Sequence, residues 1–276
     1  VASLSLDDGT LWYDETGEGP PLVFVHGGWT DADAWQAQVE RFADEFRVIT
    51  FDVRGHGRTG ATDRARYTID LFVDDLRRLL DHLDATRPIL CGISLGSMVV
   101  QEFLSQHPGE ARGAVLAGAL RSMPPVELPL ASKPFLSPLP ALSLSLSTTG
   151  PRTTFRTMLG SIRAVTGGPW LALDPAVRAR TMDAVGAFSR PEFLKVFDAL
   201  YDFDPPELTD VTTPTLVVHG ASEAPPVKRQ SAQIADRLPN ARLLSIADAA
   251  HLVNEDNPAA FDAACADLFD GLAADA

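Results

Sequence analysis

The chain has 276 residues, 45% of them hydrophobic and 22% charged, which is ordinary globular composition and enough length to bury one large α/β core. Its formal charge of −14 disfavours nucleic acid and anionic membrane surfaces as partners. No apolar run reaches the length of a membrane span, no signal-like segment opens the chain and no metal-ligand or phosphate-cradling spacing occurs, so a soluble, cytoplasmic protein without membrane insertion, metal or cofactor is expected.

In chain order, the first core strand is Leu22-Val23-Phe24-Val25, apolar at every position as a strand covered on both faces is. It runs into His26-Gly27-Gly28-Trp29, whose glycines let a ligand approach the backbone closely. Gly28 is the candidate for one of two backbone N–H donors that would hold a carbonyl oxyanion, and Trp29 is the candidate pocket wall beside it. A second strand, Val48 to Phe51, leads into Asp52-Val53-Arg54-Gly55-His56-Gly57-Arg58-Thr59, a tight glycine turn. His56 sits in that turn with arginines on both sides and is read as structural. Thr68 caps a helix in which Ile69, Phe72, Val73, Leu76, Leu79, Leu80 and Leu83 recur at helical spacing, a stripe that belongs to the core.

Pro88 to Cys91 is the next strand and Ser97 to Gln106 the next helix, with Gly92-Ile93-Ser94-Leu95-Gly96 between them. A strand reversing that tightly into a helix leaves no room for a side chain two residues either side of the serine. Ser94 is therefore the candidate nucleophile and Leu95 the second oxyanion donor. A bare G-x-S-x-G match arises by chance in roughly one chain in ten of this length, so its weight comes from what else follows in the right order. Ala114 to Leu120 reads as the strand after this helix.

From Arg121 to Thr213 the character changes. Pro124, Pro125, Pro129, Pro134, Pro138 and Pro140 alternate with leucines, a density expected to forbid a regular helix there. Two helical stretches follow, about Thr153 to Val165 and Pro175 to Leu200, before Pro205-Pro206 closes the segment. An insertion this rich in Leu, Phe and Met is expected to form an apolar lid over Ser94, giving a core domain of residues 1–120 and 214–276 and a cap of residues 121–213.

The strand pattern resumes at Thr215 to Val218 and runs into His219-Gly220-Ala221-Ser222-Glu223. A serine hydroxyl becomes nucleophilic when an imidazole takes its proton, and a carboxylate on the other ring nitrogen fixes the tautomer. His251 is the candidate base, in a loop between the last strand, Arg242 to Ile246, and a helix begun by Asn257-Pro258, since α/β sheets keep reactive groups at the carboxyl ends of strands. Glu223, the first acid past a strand-end glycine, is the leading candidate for the carboxylate; Asp248 is the alternative, and an unidentified third acid stays open. His82, His107 and His219 fit structural positions. Cys91 and Cys265 are expected to be buried, reduced thiols.

The HGG loop, the DVRGHG turn, the GISLGS elbow, VVHGASE and AHLVNEDNP resemble, in this order, the α/β-hydrolase superfamily and its esterase, lactonase and non-haem-peroxidase-like branch. The resemblance implies an α/β-hydrolase fold, a mostly parallel doubly wound sheet with a helical cap between the strand after the nucleophile helix and the next strand. It implies that the residue after the first HG and the residue after the nucleophile form the oxyanion hole, here Gly28 and Leu95. Most relatives carry aspartate three places past the strand-end glycine, where this chain has Glu223. A serine at the elbow sets aside the relatives that displace halide or open epoxides with aspartate.

The expectation is a serine hydrolase of carboxylic esters or lactones with small to medium apolar acyl groups, using Ser94, His251 and Glu223 and losing activity in acid as His251 protonates. Rivals are a C–C bond hydrolase or perhydrolase with the same triad and, from another class, a non-catalytic ligand-binding receptor on a hydrolase fold. The partner is a small-molecule ester or lactone and not nucleic acid. The sequence says nothing of an oligomer.

Overall fold

In the computed structural model, which describes residues 2–125, 133, 135–166 and 170–274, two strands precede the expected first core strand. β1 (Ala2–Leu6) and β2 (Gly9–Thr16) form an antiparallel hairpin closed at Leu6 and Gly9. The chain continues through β3 (Pro21–Val25), α1 (Gln36–Phe42), β4 (Arg47–Phe51), α2 (Ile69–His82), β5 (Ile89–Ile93), α3 (Leu95–Gln106) and β6 (Gly113–Ala117). These form one eight-stranded sheet with β7 (Thr215–Gly220) and β8 (Ala241–Ile246), in the order β1-β2-β4-β3-β5-β6-β7-β8. The pairings of β1 with β2 and of β2 with β4 are antiparallel, and all others are parallel.

This is the expected α/β class, and the residues explain it. β5, β6 and β7 are buried at every position, as strands covered by helices on both faces must be. The chain winds from β3 to β4 on one side and crosses back to β5 on the other, so the carboxyl ends of β3 and β5 flank the crevice where open α/β sheets bind ligands. Register brings Val25 opposite Gly92 there. Thr68 caps α2 by accepting from the Leu71 N–H at 3.1 Å, and the stripe from Ile69 to Leu80 is buried.

The expected strand from Ala114 to Leu120 stops at Ala117, because Gly118 turns out of the sheet at a φ of 50°. Among the described residues, three helices lie between β6 and β7: α4 (Leu139–Thr166), α5 (Pro175–Gly186) and α6 (Arg190–Asp202). They depart from expectation in two ways. α4 begins at Leu139 and not near Thr153, since Pro140 occupies its first turn, where the missing N–H has no intrahelical role. It is two helices meeting at a kink where Gly150 takes a φ of 76° just before Pro151, and the second of them is the stretch expected from about Thr153 to Val165. The long helix expected from Pro175 to Leu200 is also two, because Ser189 caps α6 by accepting from the Glu192 N–H at 3.4 Å. Pro129 and Pro134 lie outside the described residues.

α7 (Pro225–Arg237), α8 (Val253–Asp256) and α9 (Pro258–Ala274) complete the chain. Asn257 accepts from the Ala260 N–H at 3.2 Å at the start of α9. Cys91 and Cys265 are buried free thiols, and burial, together with the Cys265 side chain, pushes the Cys91 thiol well up. Among the described residues no helix is long and apolar enough to cross a membrane.

Candidate active site

Ser94 links β5 to α3 with φ 54° and ψ −111°, a left-handed conformation that costs a non-glycine residue about 1–3 kcal/mol. What holds it there is close packing on either side. A Cβ on Gly92 would lie 2.2 Å from the Gly96 carbonyl oxygen, and one on Gly96 would lie 2.1 Å from that of Val25. The Ser94 N–H donates to the Ala117 carbonyl at 2.9 Å, tying the turn to the end of β6. Leu95 opens α3, so its N–H has no acceptor within the helix.

The HGG loop lies against this elbow. A Cβ on Gly27 would sit 3.6 Å from Ser94 Cβ, and one on Gly28 would sit 3.8 Å from Leu95 Cβ. The loop's shape is fixed by His26, whose role the sequence did not suggest. Its Nε2 accepts from the Val53 N–H at 2.9 Å, so the proton is on Nδ1, which donates to the Gly27 carbonyl at 2.8 Å. Burial pushes His26 down and keeps the ring neutral. The Thr30 hydroxyl donates to the same carbonyl at 2.8 Å.

The DVRGHG turn braces that loop from behind. Asp52, fully buried, accepts from the Ala32 N–H at 2.8 Å and the Arg58 N–H at 2.7 Å. Arg54 makes a two-pronged ion pair with Asp75 on α2, at 2.5 and 2.8 Å, and a further one with Asp8 in the β1–β2 turn. His56 donates through Nδ1 to the Arg54 carbonyl at 2.8 Å, and burial drives it down to about 3. It is a packed, neutral ring, in keeping with the structural reading.

His251 sits in the loop after β8, buried, with Nδ1 2.7 Å from Glu223 Oε2. With the proton on Nδ1 donated to the carboxylate, Nε2 presents its lone pair, and this atom is buried without a partner among the described residues. Asp248, the alternative acid, is exposed. The Gly118 turn makes room for the ring: a Cβ there would meet His251 Cε1 at 3.0 Å and Nδ1 at 3.1 Å. Glu223 Oε1 is occupied as well, accepting from the Ala224 N–H at 2.7 Å and from Trp170 Nε1–H at 2.5 Å. Gly118 and Trp170 are site residues that the sequence reading missed. The only advance signal for the first was a glycine at a strand end, and for the second there was none.

Ser94, His251, Gly28 and Trp29 line one pocket. Apart from Thr30 its other walls are largely apolar, with Phe155, Met158, Leu159 and Ile162 from α4, Leu171 from the segment before α5, and Leu200 from α6. Trp29 stacks on Phe193 of α6 at 4.9 Å, so the HGG loop and the insertion share an aromatic seam. Side chains of the insertion and Ser94 thus line the same pocket.

The family model described as "alpha/beta hydrolase fold" matches residues 20–258. The chain is 31% identical over 252 residues to the non-heme chloroperoxidase CPO-A1 of Kitasatospora aureofaciens, covering 84% of this chain and 85% of that protein. It is 24% identical to 3-oxoadipate enol-lactonase 2 of Acinetobacter baylyi, with 94% and 93% covered. Among solved structures, a thermophilic esterase from Thermogutta terrifontis superposes with a TM-score of 0.83 at 22% identity, over 99% of each chain.

Proposed function

The chain belongs to the alpha/beta hydrolase fold family, and within it we propose that this protein cleaves carboxylic esters or lactones of small to medium apolar acyl groups through an acyl-enzyme on Ser94. The observation that carries the reading is the state of His251, which lines the same pocket as Ser94: Nδ1 is engaged by Glu223, and Nε2 has no partner among the described residues. That is a base awaiting a proton donor.

Ser94 Oγ attacks the carbonyl carbon while His251 Nε2 takes its proton. The oxygen gains charge and is held by the Gly28 and Leu95 N–H groups, each worth roughly 3 kcal/mol in such a site. As the C–O bond breaks, His251 returns the proton to the leaving alkoxide and the acyl group remains on Ser94. Water, deprotonated by the same imidazole, then attacks the ester and regenerates the serine. Glu223 orients the ring and stabilises the imidazolium between steps.

The apolar walls from Phe155 to Leu200 support an uncharged acyl group. On this reading residues 121–213 serve as the cap and 1–120 with 214–276 as the core. The relatives' names include an enol-lactonase and an esterase, which agrees with the reaction class. A cytoplasmic setting fits the two buried thiols. The likeness to a chloroperoxidase favours a second reading, perhydrolysis, in which hydrogen peroxide replaces water as the attacker and the product is a peroxyacid.

The test is turnover of a chain-length series of p-nitrophenyl esters and simple lactones by the wild type beside Ser94→Ala, with and without hydrogen peroxide. A loss of at least about 10³-fold in the variant is expected, with rates falling once the acyl chain outgrows the pocket. Folded wild type that turns over none of them would overturn the reading.

A further inference from the structure

Trp170 belongs to the segment between α4 and α5, yet it touches both partners of the imidazole–carboxylate pair. Its Nε1–H donates to Glu223 Oε1 at 2.5 Å. Its ring stacks on His251 with centroids 4.4 Å apart and planes 29° from parallel. Its carbonyl accepts from the His251 N–H at 3.0 Å, and the next carbonyl, Leu171, accepts from the Leu252 N–H at 2.9 Å. Side chain and backbone thus fasten the insertion to the loop that carries His251.

We propose that Trp170 is a positioning residue for the His251–Glu223 pair, so that seating of the helical insertion and readiness of the base are one event. The proposal rests on the serine hydrolase reading above. A carboxylate held at one oxygen still swings about its terminal bond, and glutamate has one more such bond than aspartate. With Oε1 fixed by the Trp170 and Ala224 N–H groups, only Oε2 faces the imidazole. The stacked indole restrains rotation of the ring. Packing alone would be met by any large apolar ring, but an indole N–H aimed at a buried carboxylate is a charge-assisted hydrogen bond. The longer acid at position 223 is matched by a donor that shares the load of holding it.

The experiment is the rate at which a fluorophosphonate labels Ser94, across pH, in wild type, Trp170→Phe, Glu223→Gln and the double variant. Phenylalanine keeps a stacking ring and removes the donor. Trp170→Phe should label about tenfold more slowly, the equivalent of one hydrogen bond to a charged group. Its acid limb should move to higher pH, because the released charge on Glu223 holds the imidazolium more firmly. In the Glu223→Gln background the same change should cost nothing further, since Trp170 acts through Glu223. An equal fold-loss in both backgrounds, or wild-type labelling by Trp170→Phe, overturns the proposal. Wild type that resists labelling overturns the hydrolase reading instead. Should Trp170→Phe fail to fold, Trp170→His, which keeps a ring with an N–H, goes through the same cycle and should stay close to wild type in the Glu223 background; a tenfold loss there overturns the proposal.

Discussion

At Gly96 an added methyl would lie 2.1 Å from the Val25 carbonyl oxygen, whereas at Gly160 in α4 it would meet nothing within 4 Å. One glycine belongs to the elbow of the sheet and the other to the inserted helices, and they mark two ways of building the pocket's surroundings. On the sheet side, backbone packs on backbone: β5 and α3 close over Gly92 and Gly96, and Gly118 leaves space for the His251 ring. On the insertion side, bulky side chains make the wall and the backbone stands back, as at Phe155, Met158 and Ile162. The chemistry is placed by the first kind of contact, which tolerates no change in volume, and the pocket is shaped by the second, where hydrophobic swaps of similar size are tolerated best.

The hardest test of this contrast is Gly96→Ala. The elbow cannot close around the methyl unless β3 and α3 separate, so a loss above about 4 kcal/mol is expected, read as insoluble protein or a collapsed thermal transition. A variant that melts close to wild type would mean that the elbow relaxes and that backbone contact does not fix Ser94.

The contrast also explains what the sequence disclosed. Close backbone approach demands glycine at positions 92 and 96, so the elbow at Ser94 was legible as letters in a row, and the β3, β5 and β7 cores as apolar runs, whereas a Cβ at Gly27 or Gly28 would find ordinary contact distances. His251 and Glu223 were legible as strand-end loop residues, although their 2.7 Å contact was not. Trp170 was silent because its partner Glu223 lies 53 residues further on and nothing local marks the contact. His26 was silent for a similar reason, its tautomer being set by a backbone N–H on the neighbouring β4 loop. Two features had signals that went unread: Asp8-Gly9 at the β1–β2 turn, and Ser189 with Glu192 three places on, the pattern of a helix start.

One group spans both regions, and its ionisation sharpens the comparison. Glu255 of α8 pairs with Arg180 of α5 at 2.5 Å through Oε2, while Oε1 is buried without a partner among the described residues. Burial pushes its carboxyl up to about 7, with Asp256 and Asp31 adding to the effect against the pull of Arg180. The unfolded chain therefore loses this proton first as pH rises. Stability from the protonated form is complete below about 4.5 and is lost as pH climbs through about 7. Glu255→Gln keeps a neutral group at every pH, so its advantage over wild type should grow across that interval to the order of 2 kcal/mol. Denaturant melts of both proteins at pH 4.5, 6 and 8 check it; parallel curves would mean that Arg180 holds the carboxylate ionised throughout.

The smallest effect has the opposite sign to the largest. Gly160 lies within the second half of α4, exposed, in a helix whose break is supplied elsewhere by Gly150 and Pro151. With open space around it, a methyl meets no atom and only the helix propensity changes, so Gly160→Ala should gain about 0.5–1 kcal/mol. A urea midpoint that rises with an unchanged slope would show it. Ester turnover should stay at the wild-type level, because the pocket wall on this helix is made by Phe155, Met158, Leu159 and Ile162 and not by Gly160. If turnover fell while stability rose, the insertion would need the bending that glycine permits at this point, and its backbone would prove as constrained by function as the elbow is by packing.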